Sequence, residues 1–171
     1  NPGTPAAAVN ALLQSPARPM INRAIGARYA PGSTFKPVTL LAGLEAGTIH
    51  TGDTADCGGG LQIGNHRFGC WNSRGHGRVD AFTAMLQSCD VWFYQAGLRT
   101  GIAALSRMAA QFGLGQPTGL DYAKEVTGLV PTPEWKKSRY RENWWDGDTA
   151  QLAIGQSFLL ATPLQMANVA A

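Results

Sequence analysis

The sequence predicts one domain of the α/β (α+β) class, and three observations support this prediction. Apolar residues recur at helical three- and four-residue spacing over residues 101–112. A short apolar run over residues 150–155 is typical of a β-strand. The 171 residues are 44% hydrophobic and 15% charged, which suits a folded domain with its own core rather than a disordered chain.

Helices are predicted wherever an apolar pattern starts at a capping residue and stops at glycine. A Pro-Gly turn precedes the first helix and Gly47 ends it. The last helix begins at Thr162, a favourable N-cap, with proline at its first position. The predicted helices cover residues 33–46, 80–87, 91–98 and 101–112 and the segment that follows Thr162.

Between residues 113 and 149 the sequence predicts loop and one short helix. Residues 117–133 are expected to be mostly loop. Thr132 is expected to cap a short helix with Pro133 at its first position. The basic residues within 136–141 are expected to form the solvated face of that helix.

Residues 51–77 differ in composition from the rest of the chain. Glycine and polar residues dominate there and no periodicity is visible. We expect a loop or insertion, and a segment of that length needs a stabilising device of its own.

The charge balance excludes one class of function. Fourteen basic and eleven acidic residues give a net charge of +3. Nucleic-acid binding proteins carry a stronger basic footprint and a recognisable binding motif, so no nucleic-acid partner is predicted. The chain contains no run of about 18 apolar residues and no signal-peptide pattern, so no membrane span is predicted within it.

The pair Ser33 and Lys36 is the first candidate for chemistry. Positions three apart share one face of a helix, so the hydroxyl and the amine can meet. A serine hydroxyl becomes a nucleophile when a neighbouring base takes its proton, and a lysine of lowered pKa is such a base. A Ser-x-x-Lys match also arises by chance, as a helix cap followed by a solvated lysine, so the flanking residues matter.

The residues around this pair resemble a known family. Residues 29–37 read Tyr-Ala-Pro-Gly-Ser-Thr-Phe-Lys-Pro, which resembles the first active-site motif of class B penicillin-binding proteins. Ser88-Cys89-Asp90 resembles the second motif, with Asp90 in place of the more common asparagine, as in the elongation-type branch (penicillin-binding protein 2). The third motif, Lys-Thr-Gly or Lys-Ser-Gly, does not occur in this sequence.

The resemblance implies a fold and a partial domain. The fold would be that of the penicillin-recognising serine transpeptidases and β-lactamases, with the helical subdomain mostly present. Residues 1–171 would be an internal part of the transpeptidase domain, and residues 51–77 an insertion within it. The C-terminal part of the sheet, with the third motif, would lie outside this sequence, as would a membrane anchor and a pedestal domain. The fragment alone is therefore expected to be inactive.

The resemblance also implies a reaction. A peptidoglycan D,D-transpeptidase forms an acyl-enzyme on its serine, here Ser33, from stem peptides that end in D-Ala-D-Ala. Lys36 would act as base, Ser88 would relay a proton to the leaving amine, and Asp90 would orient Lys36. An amine of a second stem peptide then completes the crosslink. β-Lactams would acylate the same serine, and no cofactor would enter the chemistry.

The location and partners implied by the resemblance are those of cell-wall synthesis. The full-length protein would work at the periplasmic face of the inner membrane. Its partner would be a membrane glycosyltransferase of the shape, elongation, division and sporulation family.

The three cysteines, Cys57, Cys70 and Cys89, leave two interpretations open. In the first, two of them pair as a disulfide and the third is a buried free thiol. Disulfides persist outside the inner membrane, where the resemblance places the protein. Alternatively, all three bind a structural zinc ion with His76 as the fourth ligand, a normal Cys3His set. Some elongation-type members of the family bind zinc at similar positions, which favours zinc. His66 is an alternative ligand, but His50 and His66 are expected at the surface.

Three other functions remain open from the sequence. A serine β-lactamase or D,D-carboxypeptidase shares Ser-x-x-Lys but transfers the acyl group to water. A β-lactam sensor domain acylates once and signals. A zinc-stabilised structural domain has no activity, which would fit the lack of a third motif.

Overall fold

The computed structural model describes residues 3–120 and 125–171. Helices dominate these residues, and the strands are short and form two separate two-stranded antiparallel sheets. The helices are α1 (Ala6–Gln14), α2 (Arg23–Gly26), α3 (Lys36–Glu45), α4 (Ala81–Leu86), α5 (Asp90–Gln111), α6 (Pro133–Tyr140), α7 (Asp146–Ala153) and α8 (Pro163–Ala170). The strands are β1 (Ala55–Cys57), β2 (Gly60–Ile63), β3 (His66–Gly69) and β4 (Gly77–Val79).

The predicted helix over residues 33–46 is confirmed, with a tighter start than expected. It begins as a 3-10 turn, Gly32–Phe35, and continues as α3. Pro37 lies in the first turn of α3, where its missing N–H removes no intrahelical bond. Gly47 follows with a φ of 65°, a left-handed conformation that favours glycine and ends the helix.

The central helix α5 joins the two helices predicted over residues 91–98 and 101–112. The backbone at Gly101 leaves helical geometry, with φ 78° and ψ 156°, so the helix is broken at that point. α5 packs against α3 on one side and α7 on another. A side chain at Gly97 would collide with the Cβ of Ala153, so this glycine permits the close approach of α5 to α7.

The expectation of a loop over residues 51–77 was wrong. β1 pairs with β4, with Cys57 opposite Gly77, and the β2–β3 hairpin lies between them in sequence. The strands of this segment are only three or four residues long, and three of them begin or end at glycine, so they are too short to show an alternating apolar pattern in the sequence. Pairing between β1 and β4, whose partner residues are at least twenty positions apart, organises the segment instead.

The predicted strand over residues 150–155 was also wrong, because these residues belong to α7 and the turn after it. A short apolar run looks the same in a buried helix and a buried strand. The Asp148 carboxylate accepts a hydrogen bond from the Trp145 N–H at 2.8 Å, which caps the helix at its N-terminus. The buried residues of α7 follow helical spacing: Thr149, Ala150, Leu152 and Ala153.

The short helix predicted after Thr132 is confirmed as α6, but its basic face is only partly solvated. Thr132 accepts a hydrogen bond from the Trp135 N–H at 3.1 Å, as expected for an N-cap. Lys136, predicted to face solvent, is only 3% exposed. Its Nζ lies 2.7 Å from the Asp148 carboxylate and so joins α6 to α7. A half-buried carboxylate partner on another helix cannot be read from local sequence, which explains the wrong prediction.

The predicted terminal helix is confirmed as α8, where Thr162 and Gln165 form a capping box. The loop prediction for residues 117–133 includes 121–124, which lie outside the described residues. The described part is irregular apart from a bridge between Leu129 and Leu160.

Helices α1 and α2 were not predicted from the sequence. Among the described residues no helix is both long and apolar enough to cross a membrane.

Candidate active site and cysteine cluster

Three of the four predicted catalytic residues meet in one hydrogen-bonded group. Lys36 is the first residue of α3 and is 1% exposed. Its Nζ donates to the Asp90 carboxylate at 2.7 Å, to Ser88 Oγ at 2.9 Å and to the Ser88 carbonyl at 2.8 Å. Ser88 lies in the turn between α4 and α5, and Asp90 is the first residue of α5. The packing of α3 on α5 thus brings together residues more than fifty positions apart.

Ser33, the predicted nucleophile, stands one turn before Lys36 and is exposed. The polar contacts found for Lys36 Nζ go to Ser88 and Asp90 rather than to Ser33. The arrangement therefore combines an accessible hydroxyl with a buried lysine side chain one turn further along the chain.

The turn that carries Ser33 rests on the end of α7, a contact that the sequence did not reveal. Gly32, with a φ of 59°, donates its N–H to the Gly155 carbonyl at 2.8 Å. Gly155 has a φ of 71°, and a Cβ at this position would collide with the Gly32 carbonyl oxygen. Glycine at position 155 is therefore needed for this close approach, whereas Gly32 is favoured by its left-handed φ, because a Cβ there would meet nothing within 4 Å. Their spacing in sequence gives no signal of this contact.

The turn before α5 holds Ser88 in an unusual backbone conformation. Its φ is 52°, a left-handed value that is rare for residues other than glycine. The Ser88 N–H bonds to the Met85 carbonyl at 3.2 Å and the Cys89 N–H to the Ala84 carbonyl at 2.8 Å. Strained conformations of this kind persist where the surroundings hold them, often at functional sites.

Trp71 contacts this group and was missed by sequence reasoning. Its backbone N–H donates to the second carboxylate oxygen of Asp90 at 3.0 Å. Its indole Nε1 donates to the carbonyls of Gln87, at 3.0 Å, and Ser88, at 3.1 Å. Asp90 is therefore held between Lys36 and Trp71. The only available signal was a large aromatic residue within the glycine-rich segment.

Beside this group, Cys57, Cys70, His76 and Cys89 form the cysteine cluster predicted from the sequence. Their four candidate ligand atoms all lie within 4.8 Å of one another. His76 Nδ1 is 3.5 Å from Cys57 Sγ and 3.6 Å from Cys70 Sγ. All three cysteines are buried free thiols. His50 and His66 are exposed, as predicted, and His66 is not part of this cluster.

The distances in the cluster fit a tetrahedral metal site. Zn–S bonds of about 2.3 Å and Zn–N bonds of about 2.0–2.1 Å at a tetrahedral angle place nitrogen and sulfur about 3.5 Å apart. The His76 Nε2 atom is buried and has no hydrogen-bond partner among the described residues. Hydrogen bonding of Nε2 therefore does not explain the position of this ring, whereas the contacts of Nδ1 with two thiols do.

The thiols of the cluster differ in acidity. Burial acts to raise the pKa of Cys57, but hydrogen bonds from the Gly59 backbone and from His76 outweigh it and lower the pKa from 9.0 to about 7. Burial is the main reason that the pKa of Cys89 rises to about 12. The thiolate is the form that binds metal, and of these two thiols Cys57 loses its proton more readily.

The cysteine cluster and the hydrogen-bonded group around Lys36 share two short segments of chain. Cys89 lies between Ser88 and Asp90, and Cys70 directly precedes Trp71. Any change in the position of these two cysteines therefore acts on the partners of Lys36.

The Penicillin binding protein transpeptidase domain family matches residues 2–171 of this chain. The chain belongs to this family. It is 39% identical to peptidoglycan D,D-transpeptidase MrdA of Escherichia coli strain K12 over 161 residues, which cover 93% of this chain and 25% of the relative. The chain thus spans about a quarter of that relative's length.

Solved structures of family members share the fold. The chain superposes on Pseudomonas aeruginosa PBP2, in complex with WCK 5153, with a TM-score of 0.91 and 38% identity, over 97% of this chain and 37% of the other. It superposes on Helicobacter pylori PBP2, from a complex with MreC, with a TM-score of 0.90 and 36% identity, over 96% and 31% of the two chains. The predicted fold class is confirmed: the chain has the mixed helix and sheet fold of the penicillin-binding transpeptidases.

Proposed function

We propose that this chain carries the acylation site of a peptidoglycan D,D-transpeptidase, with Ser33 as nucleophile. The observation that supports this most strongly is the contact of Lys36 with Ser88 and Asp90, one turn from the exposed Ser33. Residues 1–171 are then part of one transpeptidase domain, in which residues 51–77 form an insertion beside the site.

The proposed reaction has two steps. Ser33 Oγ attacks the carbonyl of the penultimate D-alanine of a stem peptide, and its proton goes to Lys36, which accepts it after giving one of its own protons to the Asp90 carboxylate at 2.7 Å. As the peptide C–N bond breaks, Ser88 Oγ, 2.9 Å from Lys36 Nζ, passes its proton to the amine of the leaving D-alanine and takes one from Lys36, and Asp90 returns its proton to Lys36. An amine of a second stem peptide then attacks the acyl carbonyl and forms the crosslink, and the proton it loses restores the Ser33 hydroxyl. A β-lactam acylates Ser33 in the same way.

The roles of the buried residues follow from their contacts. Asp90 holds Lys36 in place through the ion pair at 2.7 Å. The Ser88 hydroxyl is positioned by the left-handed turn and by Lys36. Positioning of this kind matters because an error of about 1 Å at a reacting group costs about a hundredfold in rate.

The proposal extends to where the whole protein works. It places the domain at the periplasmic face of the inner membrane, where its substrate lies. A membrane glycosyltransferase of the shape, elongation, division and sporulation family would supply the glycan strands to be crosslinked.

Replacement of Ser33 by alanine tests the proposed function. We expect benzylpenicillin to add one stable adduct to the full-length natural protein, measured by intact-protein mass spectrometry, and to add none to Ser33→Ala. Ser138→Ala, which removes an exposed serine on α6, is the control and should be acylated normally.

The other candidate functions give different results in that experiment. An adduct that disappears within the assay indicates a β-lactamase or D,D-carboxypeptidase, which transfers the acyl group to water. No adduct on the folded wild-type protein favours a structural role and contradicts the proposal. A stable adduct without crosslinking of stem peptides indicates a sensor domain.

We also propose that Cys57, Cys70, His76 and Cys89 hold a structural zinc ion. The buried sulfur atoms, the tetrahedral spacing and the lack of another partner for His76 support this assignment. Zinc would supply no chemistry to acyl transfer and would hold the ends of β1, β3 and β4 against the start of α5.

Removal of the metal is expected to slow acylation about a hundredfold, because the segments that carry Ser88 and Trp71 lose their anchor. Acylation rates with a fluorescent penicillin are compared before and after chelation, with metal content measured by mass spectrometry. His76→Ala should lose the metal and acylate slowly, whereas His66→Ala, on the exposed face of β3, should do neither. An unchanged rate in protein verified as metal-free would contradict the coupling.

A further inference from the structure

Trp71 combines a fixed ring with high exposure. Tryptophan side chains normally bury much of their area, yet Trp71 is 68% exposed. Its backbone N–H and its indole N–H are both used, on Asp90 and on the carbonyls of Gln87 and Ser88. The ring is therefore held in one orientation while much of its surface faces solvent.

The ring lies beside the reacting groups. The Ser88 carbonyl accepts hydrogen bonds from both Lys36 Nζ, at 2.8 Å, and Trp71 Nε1, at 3.1 Å. Two donors on one oxygen at these lengths lie within about 6 Å of each other. The indole nitrogen therefore lies within about 6 Å of Lys36 Nζ, which a ligand bound at this group is large enough to span.

One side of the ring is already supported by the cysteine cluster. The centroid of the His76 ring lies 5.3 Å from that of Trp71, at an interplanar angle of 60°. This contact and the two indole hydrogen bonds fix the ring before any ligand arrives. A fixed aromatic surface loses little conformational freedom when it binds a ligand, which is the property of an effective contact residue.

We propose that Trp71 is a substrate-contacting residue, whose indole forms the apolar wall on the Ser88 side of the acylation site. Its ligand is the acyl donor, either the end of a stem peptide or the β-lactam that replaces it. This inference rests on the proposed function and adds to it a residue that determines affinity for the donor. Its backbone N–H has a separate role, because the bond to Asp90 is made by the main chain and does not need the indole.

Acylation kinetics distinguish a ligand-contacting role of the Trp71 side chain from a purely structural one. The full-length protein is titrated with a fluorescent penicillin, and the dissociation constant of the initial complex is resolved from the acylation rate constant. Trp71→Ala is expected to raise the dissociation constant about tenfold, the amount that corresponds to one lost apolar contact. Trp71→Phe keeps an aromatic wall and should lose less. Melting temperature and metal content are measured for both variants.

Trp145 offers a matched control, because it is 61% exposed and lies at the start of α7. Trp145→Ala should leave both kinetic constants unchanged. If Trp71→Ala and Trp145→Ala behave alike, the inference is wrong. It is also wrong if Trp71→Ala changes only melting temperature or metal content, because a structural role alone would do so.

A direct contact measurement uses Ser33→Ala labelled with 5-fluorotryptophan. The fluorine resonance of Trp71 is identified by its loss in the added Trp71→Phe change. We expect benzylpenicillin to shift this resonance and to leave that of Trp145 in place. An unmoved Trp71 resonance at saturating ligand overturns the inference while wild-type acylation still supports the proposed function. Failure of the wild type to be acylated contradicts both the proposed function and this inference.

Discussion

Replacement of Asp90 by alanine is expected to destabilise the protein by about 3–5 kcal/mol and to abolish acylation. Lys36 and Asp90 have side chains that are 1% and 11% exposed, so neither charge has bulk water to replace its partner. Removal of the carboxylate leaves a buried ammonium group with only the neutral oxygens of Ser88 as acceptors. It also removes the acceptor of the Trp71 N–H.

Denaturant unfolding and acylation by a fluorescent penicillin measure the two effects separately. The double variant Lys36→Met with Asp90→Leu removes both charges and replaces them with apolar groups. It should regain most of the lost stability, since paired removal of a buried ion pair is often neutral. It should nevertheless stay unacylated. An Asp90→Ala protein as stable as the wild type would show that water reaches Lys36 and that the pair is not buried in solution.

Gly155→Ala is expected to slow acylation about a hundredfold or more by displacing the turn that carries Ser33. The added Cβ would collide with the Gly32 carbonyl oxygen and lies 2.8 Å from the Phe35 Cβ. Gly32 and Phe35 flank Ser33 in the same 3-10 turn. Alanine also disfavours the φ of 71° at this position, which by itself costs about 1–2 kcal/mol.

Gly113→Ala is the control that separates backbone strain from collision. Gly113 has a φ of 77°, close to that of Gly155, but a Cβ there would meet nothing within 4 Å. Both variants should therefore be less stable in thermal unfolding. Only Gly155→Ala should also be acylated more slowly under conditions where both proteins are folded. Equal acylation by the two variants would mean that the end of α7 does not position Ser33.

Local signals predicted several elements correctly, because each depends on residues close in sequence. Thr132 with Pro133 and Thr162 with Gln165 are caps formed within one helical turn, and both are present. The start of α3 at the Pro-Gly turn is of the same kind. The two active-site motifs and the four members of the cysteine cluster could also be named, because their residue types and order are distinctive.

Errors arose where a distant contact decides the outcome. Residues 150–155 have an apolar composition that suits strand or helix, and the cap at Asp148 together with packing on α5 selects the helix. The strands of residues 51–77 form because β1 meets β4 across the hairpin. Lys136 is buried because Asp148 on another helix offers a carboxylate.

The sequence by itself determined the family, the helix caps and the residues of both candidate sites, since these depend on residue identity and short spacing. Only the tertiary structure decided that Lys36 contacts Ser88 and Asp90, that Trp71 stands beside them, and that Gly155 supports the turn of Ser33. The physical reason is that these contacts join segments tens of residues apart. Their geometry is fixed by how α3, α5 and α7 pack, and local backbone preferences carry no information about that packing.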